Sequence, residues 1–429
     1  MSRRKWFVAH GWVGLTAGLM LFVICWSGTV AVFSYEIDWL LNPAMKVATT
    51  SDDLPWSRIR QEASDQFPEA RVLQISRPLH ARFPVEIILL RSPGERMWRV
   101  YADPSSGRIL DDTSYFNVQR FFRSFHMNLF FISEDFDLGY WGFRLVESFG
   151  LVLLASMVTS LVFYRRWWRR FFKLETRRGS RIFWSDLHKL SGLWSLWFVP
   201  LIALTGLWYL VEEFVPGSPE PPPAPEVPAS TGEPVALEEM IAAARRAIPG
   251  FDVSRVWLGE DASSLVEVHG FDGAMLVRDR ASKVWIDPRD ASVVGVQRTA
   301  DLTPLQRWID TADPLHFGNF GGLWGKAVWF VFGLALSAMA LTGAYLHAQR
   351  QRRKHAEIDY RAPVVIAYGL TAAILLVSAV GGWFEIRAAG MPVDGAAHFP
   401  EVALPVIFFI GAWVLSTLIA LGLWVWKLR

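Results

Sequence analysis

The sequence has one cysteine, Cys25, set in an apolar run. That excludes an internal disulfide, a cysteine-ligated iron–sulfur cluster and covalent haem attachment through C-x-x-C-H, so any haem is held non-covalently. No Rossmann glycine fingerprint is present, and the arginine-rich segments between apolar runs are too short to fold a nucleotide-binding domain. Charge imbalance is also missing: 43 Lys and Arg against 41 Asp and Glu leave +2, and no nucleic-acid partner is expected. The apolar cores are expected to be free of Asp, Glu, Lys and Arg. Pumps and channels place such groups at membrane depth, so ion pumping is disfavoured.

What the chain has is segregation. Hydrophobic residues make up 52%, yet the many charges must lie elsewhere, the pattern of a membrane protein with sizeable wet loops. Its 22 Trp and 30 Phe suit headgroup belts and the walls of planar cofactors. Runs long enough to cross about 30 Å of hydrocarbon divide the chain into a first span within 1–33, a loop domain over 34–141 and a second span over 142–164. A basic loop over 165–186 leads to a third span over 187–211, a proline-rich linker and second loop domain over 212–322, and a fourth span over 323–347. Two more spans follow at 362–384 and 402–426, six in all. Basic residues cluster at Arg3 to Lys5, across 165–181 and at 350–354. The positive-inside rule makes these cytoplasmic, with both termini inside and the two loop domains outside. The first run is too long for a signal-peptide core and lacks a clear cleavage site, so it is expected to be retained.

The chain repeats itself. His10-x-x-x-Gly14-Leu15 with Ser27-Gly28 matches His188-x-x-x-Gly192-Leu193 with Thr205-Gly206 at identical spacing. Tyr101-Ala102-Asp103-Pro104 matches Trp285-Ile286-Asp287-Pro288, and a second histidine follows each, His126 and His316. The expected fold is an α-helical polytopic protein with two small α+β extracytoplasmic domains, duplicated about a pseudo-twofold axis along the membrane normal. Within the domains, 56–66 and 237–247 read as amphipathic helices, and 85–90, 97–101, 265–268 and 283–286 as strands. The Pro-rich run 216–228 reads as a stiff linker.

The His-x-x-x-Gly helices, the aromatic-x-Asp-Pro turns, Leu315-His316-Phe317-Gly318 and Thr342-Gly343-Ala344-Tyr345-Leu346 together resemble the PepSY-associated transmembrane family over most of the chain. The resemblance implies a bacterial inner-membrane protein of iron-regulated type, with siderophore reductases among its relatives. It also implies b-type haem.

A haem iron with both axial positions filled needs two imidazoles from different helices, and the repeat supplies them in pairs. His10 with His188 is the expected cytoplasmic-side pair, and His126 with His316 the outer pair. Two haem b groups would then form a path across the membrane. Gly14 and Gly192 share a helix face with their histidines and would leave a notch beside them, either for a porphyrin or for a neighbouring helix. His347 is a secondary candidate in place of His10 or His188. Arg120 and Arg123, just before His126, are candidate propionate partners or interfacial anchors. Trp12, Trp194, Trp324 and Phe317 are candidate cofactor walls or belt residues. His80, His269, His355 and His398 read as solvated, and the last two spans as packing or docking elements.

Three functions fit. The first is reduction of a ferric siderophore outside the membrane, with electrons from a quinol or a reductase partner. The second is a haem subunit serving another acceptor. The third is a non-catalytic regulator whose loop domains bind peptides.

Overall fold

The computed structural model describes residues 2–47, 53–90, 97–113, 116–133, 136–174, 179–215, 225, 233–259, 264–351, 361–389, 392–393, 396–397 and 402–428. His355 and His398, and the linker over 216–228 apart from Pro225, lie outside them. The helices are α1 (Arg3–Ala31), α2 (Ser34–Leu41), α3 (Trp56–Gln66), α4 (Val118–Asn128), α5 (Trp141–Phe163) and α6 (Ser180–Trp194). Then come α7 (Phe198–Glu212), α8 (Leu237–Ala247), α9 (Pro304–Phe317), α10 (Gly322–Gln351), α11 (Arg361–Ala388) and α12 (Leu404–Leu428). Eight strands matter here: β1 (Arg71–Ser76), β2 (Val85–Leu90), β3 (Met97–Ala102), β4 (Ile109–Thr113), β5 (Asp252–Trp257), β6 (Val266–Phe271), β7 (Ser282–Ile286) and β8 (Val293–Gln297).

Five helices among the described residues are long and apolar enough to cross a membrane, or six if the pair α6 and α7 counts as one broken span. The break corrects the expected straight third span: the two helices meet at 64°. Pro200 explains it. On the first turn of α7 its ring excludes a helical continuation past the carbonyl of Leu196, and it has no N–H to donate there. The helices cross closely through small residues, as membrane helices do. A Cβ on Gly333 of α10 would meet Thr29 of α1 at 2.5 Å, and one on Gly150 of α5 would meet the Ala203 carbonyl oxygen of α7 at 2.7 Å.

The strands do not form two separate sheets. They join into one antiparallel sheet of order β8-β7-β6-β5-β1-β2-β3-β4, which reads alike from either edge. The junction is β1 against β5, with Ile75 opposite Val256. Side-chain alternation sends Ile75, Ile87, Val100, Val256, Val268 and Val284 into one apolar core with α3 and α8. The helices at 56–66 and 237–247 and the strand at 85–90 occur as expected. Strands β1, β4, β5 and β8, and helices α2, α4 and α9, add to the expected set.

The expectation of charge-free spans fails at the ends nearest the sheet. Arg144 and Glu147 lie on the first turns of α5, Lys326 on α10 and Glu385 near the end of α11. Most are paired. Arg144 Nε donates to Glu213 at 2.9 Å, Lys326 Nζ donates to Glu36 at 2.5 Å, and Arg120 donates to Glu385. Glu385 is 5% exposed and also accepts from Ser124 Oγ at 3.2 Å. Thus α11, expected only to pack, supplies the buried partner of α4. Removing one member of a buried ion pair costs roughly 3–5 kcal/mol. Glu385→Ala should therefore lower the denaturation midpoint of the detergent-solubilised protein clearly, and Arg120→Leu/Glu385→Leu should recover much of that loss; an unchanged midpoint for Glu385→Ala contradicts the anchoring role.

Candidate functional site

Helices α4 and α9 lie between the sheet and the spans, and each is fixed at its start. The buried Asp38 carboxylate accepts from the Val118 and Gln119 N–H groups at 2.8 Å each, and Asn117 Oδ1 from Arg120 N–H, so the free N–H groups of α4 are satisfied. Helix α9 opens with a Thr303/Gln306 capping box and Pro304 in the first turn. Pro314 inside α9 cannot donate to the Asp310 carbonyl, and the Arg278 N–H takes that place at 3.1 Å. Both helices end on left-handed residues, Leu129 and Gly318.

Held this way, His126 of α4 and His316 of α9 face each other with ring centres 6.4 Å apart and planes 36° apart. The Nδ1 of His126 lies 3.1 Å from Ser27 Oγ, and that of His316 lies 2.8 Å from Thr205 Oγ1. Each hydroxyl spends its one proton on a carbonyl of its own helix, Ser27 on Ile24 and Thr205 on Leu201. It can therefore only accept from the imidazole. With that proton so placed, the contact is that of an Nδ1–H imidazole, as in metal-ligating histidines oriented by a hydrogen-bonding neighbour. Burial pushes both imidazoles down to about 4, so they are neutral near pH 7.

The same device recurs at the opposite end of the bundle. His10 Nδ1 lies 3.1 Å from the Ser156 carbonyl oxygen and 3.0 Å from Thr159 Oγ1, and His188 Nδ1 lies 3.0 Å from Thr342 Oγ1. Thr159 and Thr342 donate to Ala155 and Ala338. His347 reaches the same region, with Nδ1 3.3 Å from where a Cβ on Gly11 would stand. The secondary candidate His347 thus stands beside Gly11, the residue that follows His10.

Glycine seats the rings. A Cβ on Gly28 would stand 2.6 Å from His126 Cε1, on Gly206 3.8 Å from His316 Cε1, and on Gly343 3.3 Å from His188 Cε1. Gly14 has nothing within 4 Å, so the notch beside His10 is open, whereas Gly192 meets Met339 Sδ at 3.5 Å. Sequence reading missed the hydroxyl partners, although the repeated pairs Ser27-Gly28, Thr205-Gly206 and Thr342-Gly343 carried their signal. In each the hydroxyl meets the ring nitrogen, and at Gly28 and Gly343 the missing side chain makes room for the ring, whereas a Cβ on Gly206 would sit at ordinary contact distance.

His126 and His316 open onto a cavity of about 1470 Å³, above the roughly 300–1,000 Å³ of most small-molecule sites. Its walls are α1, α5, α7 and α10, and its roof is the polar face of the sheet at Gln74, Ser76, Ser254 and Arg255. Arg123 lines it, whereas Arg120 is drawn away by Glu385, which removes Arg120 as a candidate partner there. Phe317 also lines the cavity, with its ring 5.6 Å from that of His316. Trp12, Trp194 and Trp324 are exposed, Trp324 at 85%, which suits a belt and not a cofactor wall. His80 and His269 are not solvated: His80 Nε2 lies 2.9 Å from Glu36 and His269 Nε2 2.8 Å from Glu267.

Two imidazoles on one metal test the fit. With metal–nitrogen bonds of about 2.0–2.1 Å and a ring nitrogen about 1.1 Å from its centre, coaxial imidazoles have centres about 6.3 Å apart. The 6.4 Å between the two ring centres matches that spacing, and the cavity beside them has room for a macrocycle.

The PepSY-associated TM region model matches residues 7–350. An uncharacterized protein of Pseudomonas aeruginosa is 26% identical over 249 residues, covering 51% of this chain and 62% of that protein. The chain thus spans about three fifths of the length of this curated relative.

The Gly28 contact has a direct consequence. Gly28→Ala should destabilise the protein by about 1–3 kcal/mol through overpacking against His126, while Gly14→Ala, with open space beside it, should be close to neutral. Parallel thermal melts in detergent decide this, and equal melts for the two variants contradict the seat.

Proposed function

The chain belongs to the PepSY-associated TM region family, and we propose that it is a dihaem b electron-transfer protein of the bacterial inner membrane that reduces a ferric siderophore in the periplasm. The observation that supports this most is the facing pair His126 and His316, with ring centres 6.4 Å apart and each Nδ1 on a hydroxyl.

On this reading the chain is a duplicated unit of helix, PepSY-like domain and helix about a pseudo-twofold axis. The Arg-rich end of the bundle is cytoplasmic and the sheet is periplasmic, by the distribution of basic residues. His126 and His316 hold the haem nearer the sheet. His10 and His188, or His347 in place of one of them, hold the other.

A haem iron bound in this way supplies reversible one-electron transfer. The protein's own residues do the rest. Ser27, Thr205, Thr159 and Thr342 fix the tautomer and plane of each ligand ring. Arg123 offers a cation for propionates at the cavity wall. The sheet roofs the cavity with arginines already neutralised by carboxylates, as Arg255 is by Asp279 and Arg77 by Asp252. Such a surface offers a bulky chelate hydrogen bonds without a strong net field. Electrons enter at the Arg-rich end from a quinol or reductase partner and leave to the Fe(III) chelate, one per iron. The Fe(II) product is released because hard oxygen ligands prefer the more highly charged ion.

A pyridine haemochrome assay should return about two haems per chain, with the reduced protein oxidised by ferric siderophores in stopped flow. His126→Ala and His316→Ala should each remove one haem and spare the other. Full haem content in both variants would falsify the pairing.

A further inference from the structure

The two sheet-side histidines are near equivalents, but the residues one turn before them are opposite in charge. Arg123 precedes His126 by three and Asp313 precedes His316 by three, so each shares a helix face with its histidine. Both line the cavity.

We propose that Arg123 and Asp313 together fix the in-plane orientation of a haem held between His126 and His316, Arg123 receiving its carboxylates and Asp313 turning them away. This rests on the dihaem reading above. With matching imidazoles and matching hydroxyl partners, the site would otherwise accept a haem in two orientations related by the pseudo-twofold axis. Haem carries both carboxylates on one edge, so unequal flanks distinguish the two.

Asp313 is built to stay in place. Tyr209 Oη donates to its Oδ1 at 2.7 Å and Arg278 Nη1 to its Oδ2 at 2.6 Å. Arg278 is itself tied to Asp310 at 2.8 Å, and the Tyr209 ring lies edge-on to His316 at 5.6 Å. Glu212, at the end of α7, lines the same cavity and extends the acidic flank, whereas Glu213 beside it is taken by Arg144. A second carboxylate brought into this partly desolvated wall is repelled. Arg123 is exposed, and among the described residues it makes no side-chain hydrogen bond or ion pair, so its guanidinium is available. Lys326, another cation on the wall, is occupied by Glu36.

The test titrates haem into full-length apoprotein in detergent for wild type, Arg123→Lys, Arg123→Glu, Asp313→Asn and Arg123→Glu/Asp313→Asn, with melts of each apoprotein alongside. Arg123→Glu should weaken the sheet-side site about tenfold, the size expected for losing a charge-assisted contact. Arg123→Lys and Asp313→Asn should load normally, and the double variant should recover most of the loss because the opposite flank no longer repels. The apoprotein melts should show no such coupling. Wild-type loading of Arg123→Glu, or a double variant that binds as poorly as Arg123→Glu, overturns the proposal while leaving the haem reading intact. Wild-type protein that takes up no haem overturns both.

Discussion

Four imidazoles in this chain are held by one device, a ring N–H given to an oxygen whose own proton is already committed to the helix that carries it. A serine or threonine hydroxyl in an apolar helix bonds to the carbonyl three or four residues back, because no water competes there. Its lone pairs are then aimed at a neighbouring helix, and only a donor can satisfy them. The consequence is chemical as well as structural. The ring plane is set by that contact, and at His126 the ring lies close against Gly28 of the anchoring helix.

At the sheet end the histidines stand on the short helices α4 and α9 and not on the spans they face. Asp38 holds α4 at its start and Glu385 at its side, while α9 is tied to the loop at Arg278 through the carbonyl that Pro314 leaves free. The joined sheet lies above both. Because β1 pairs with β5, the two halves of the sheet share one core with α3 and α8.

Much of this was legible in the residues. Apolar runs gave the spans, since nothing else stabilises some twenty consecutive apolar residues in water. The spacing of His10 and His188 from their Ser/Thr-Gly pairs exposed the repeat, and period-two alternation found β2 and part of its neighbours. The remainder was hidden for identifiable reasons. Strands β1 and β5 carry polar residues on the face that roofs the cavity, so they do not read as ordinary half-buried strands. Pro200 in an apolar run is tolerated in membrane helices often enough that a 64° break was not foreseen. The pairing of Arg120 with Glu385 joins residues 265 apart in sequence, and no local pattern reports such a contact.

The amino-acid order by itself determined that the chain is a multi-pass membrane protein with histidines at matched spacing from Ser/Thr-Gly pairs, because hydropathy and spacing are properties of neighbouring residues. Only the tertiary structure decided which histidines face one another, which of two adjacent arginines reaches the cavity, and that one sheet spans both halves. Those outcomes depend on contacts between segments more than a hundred residues apart, where packing and hydrogen-bond satisfaction choose among partners that local sequence leaves equivalent.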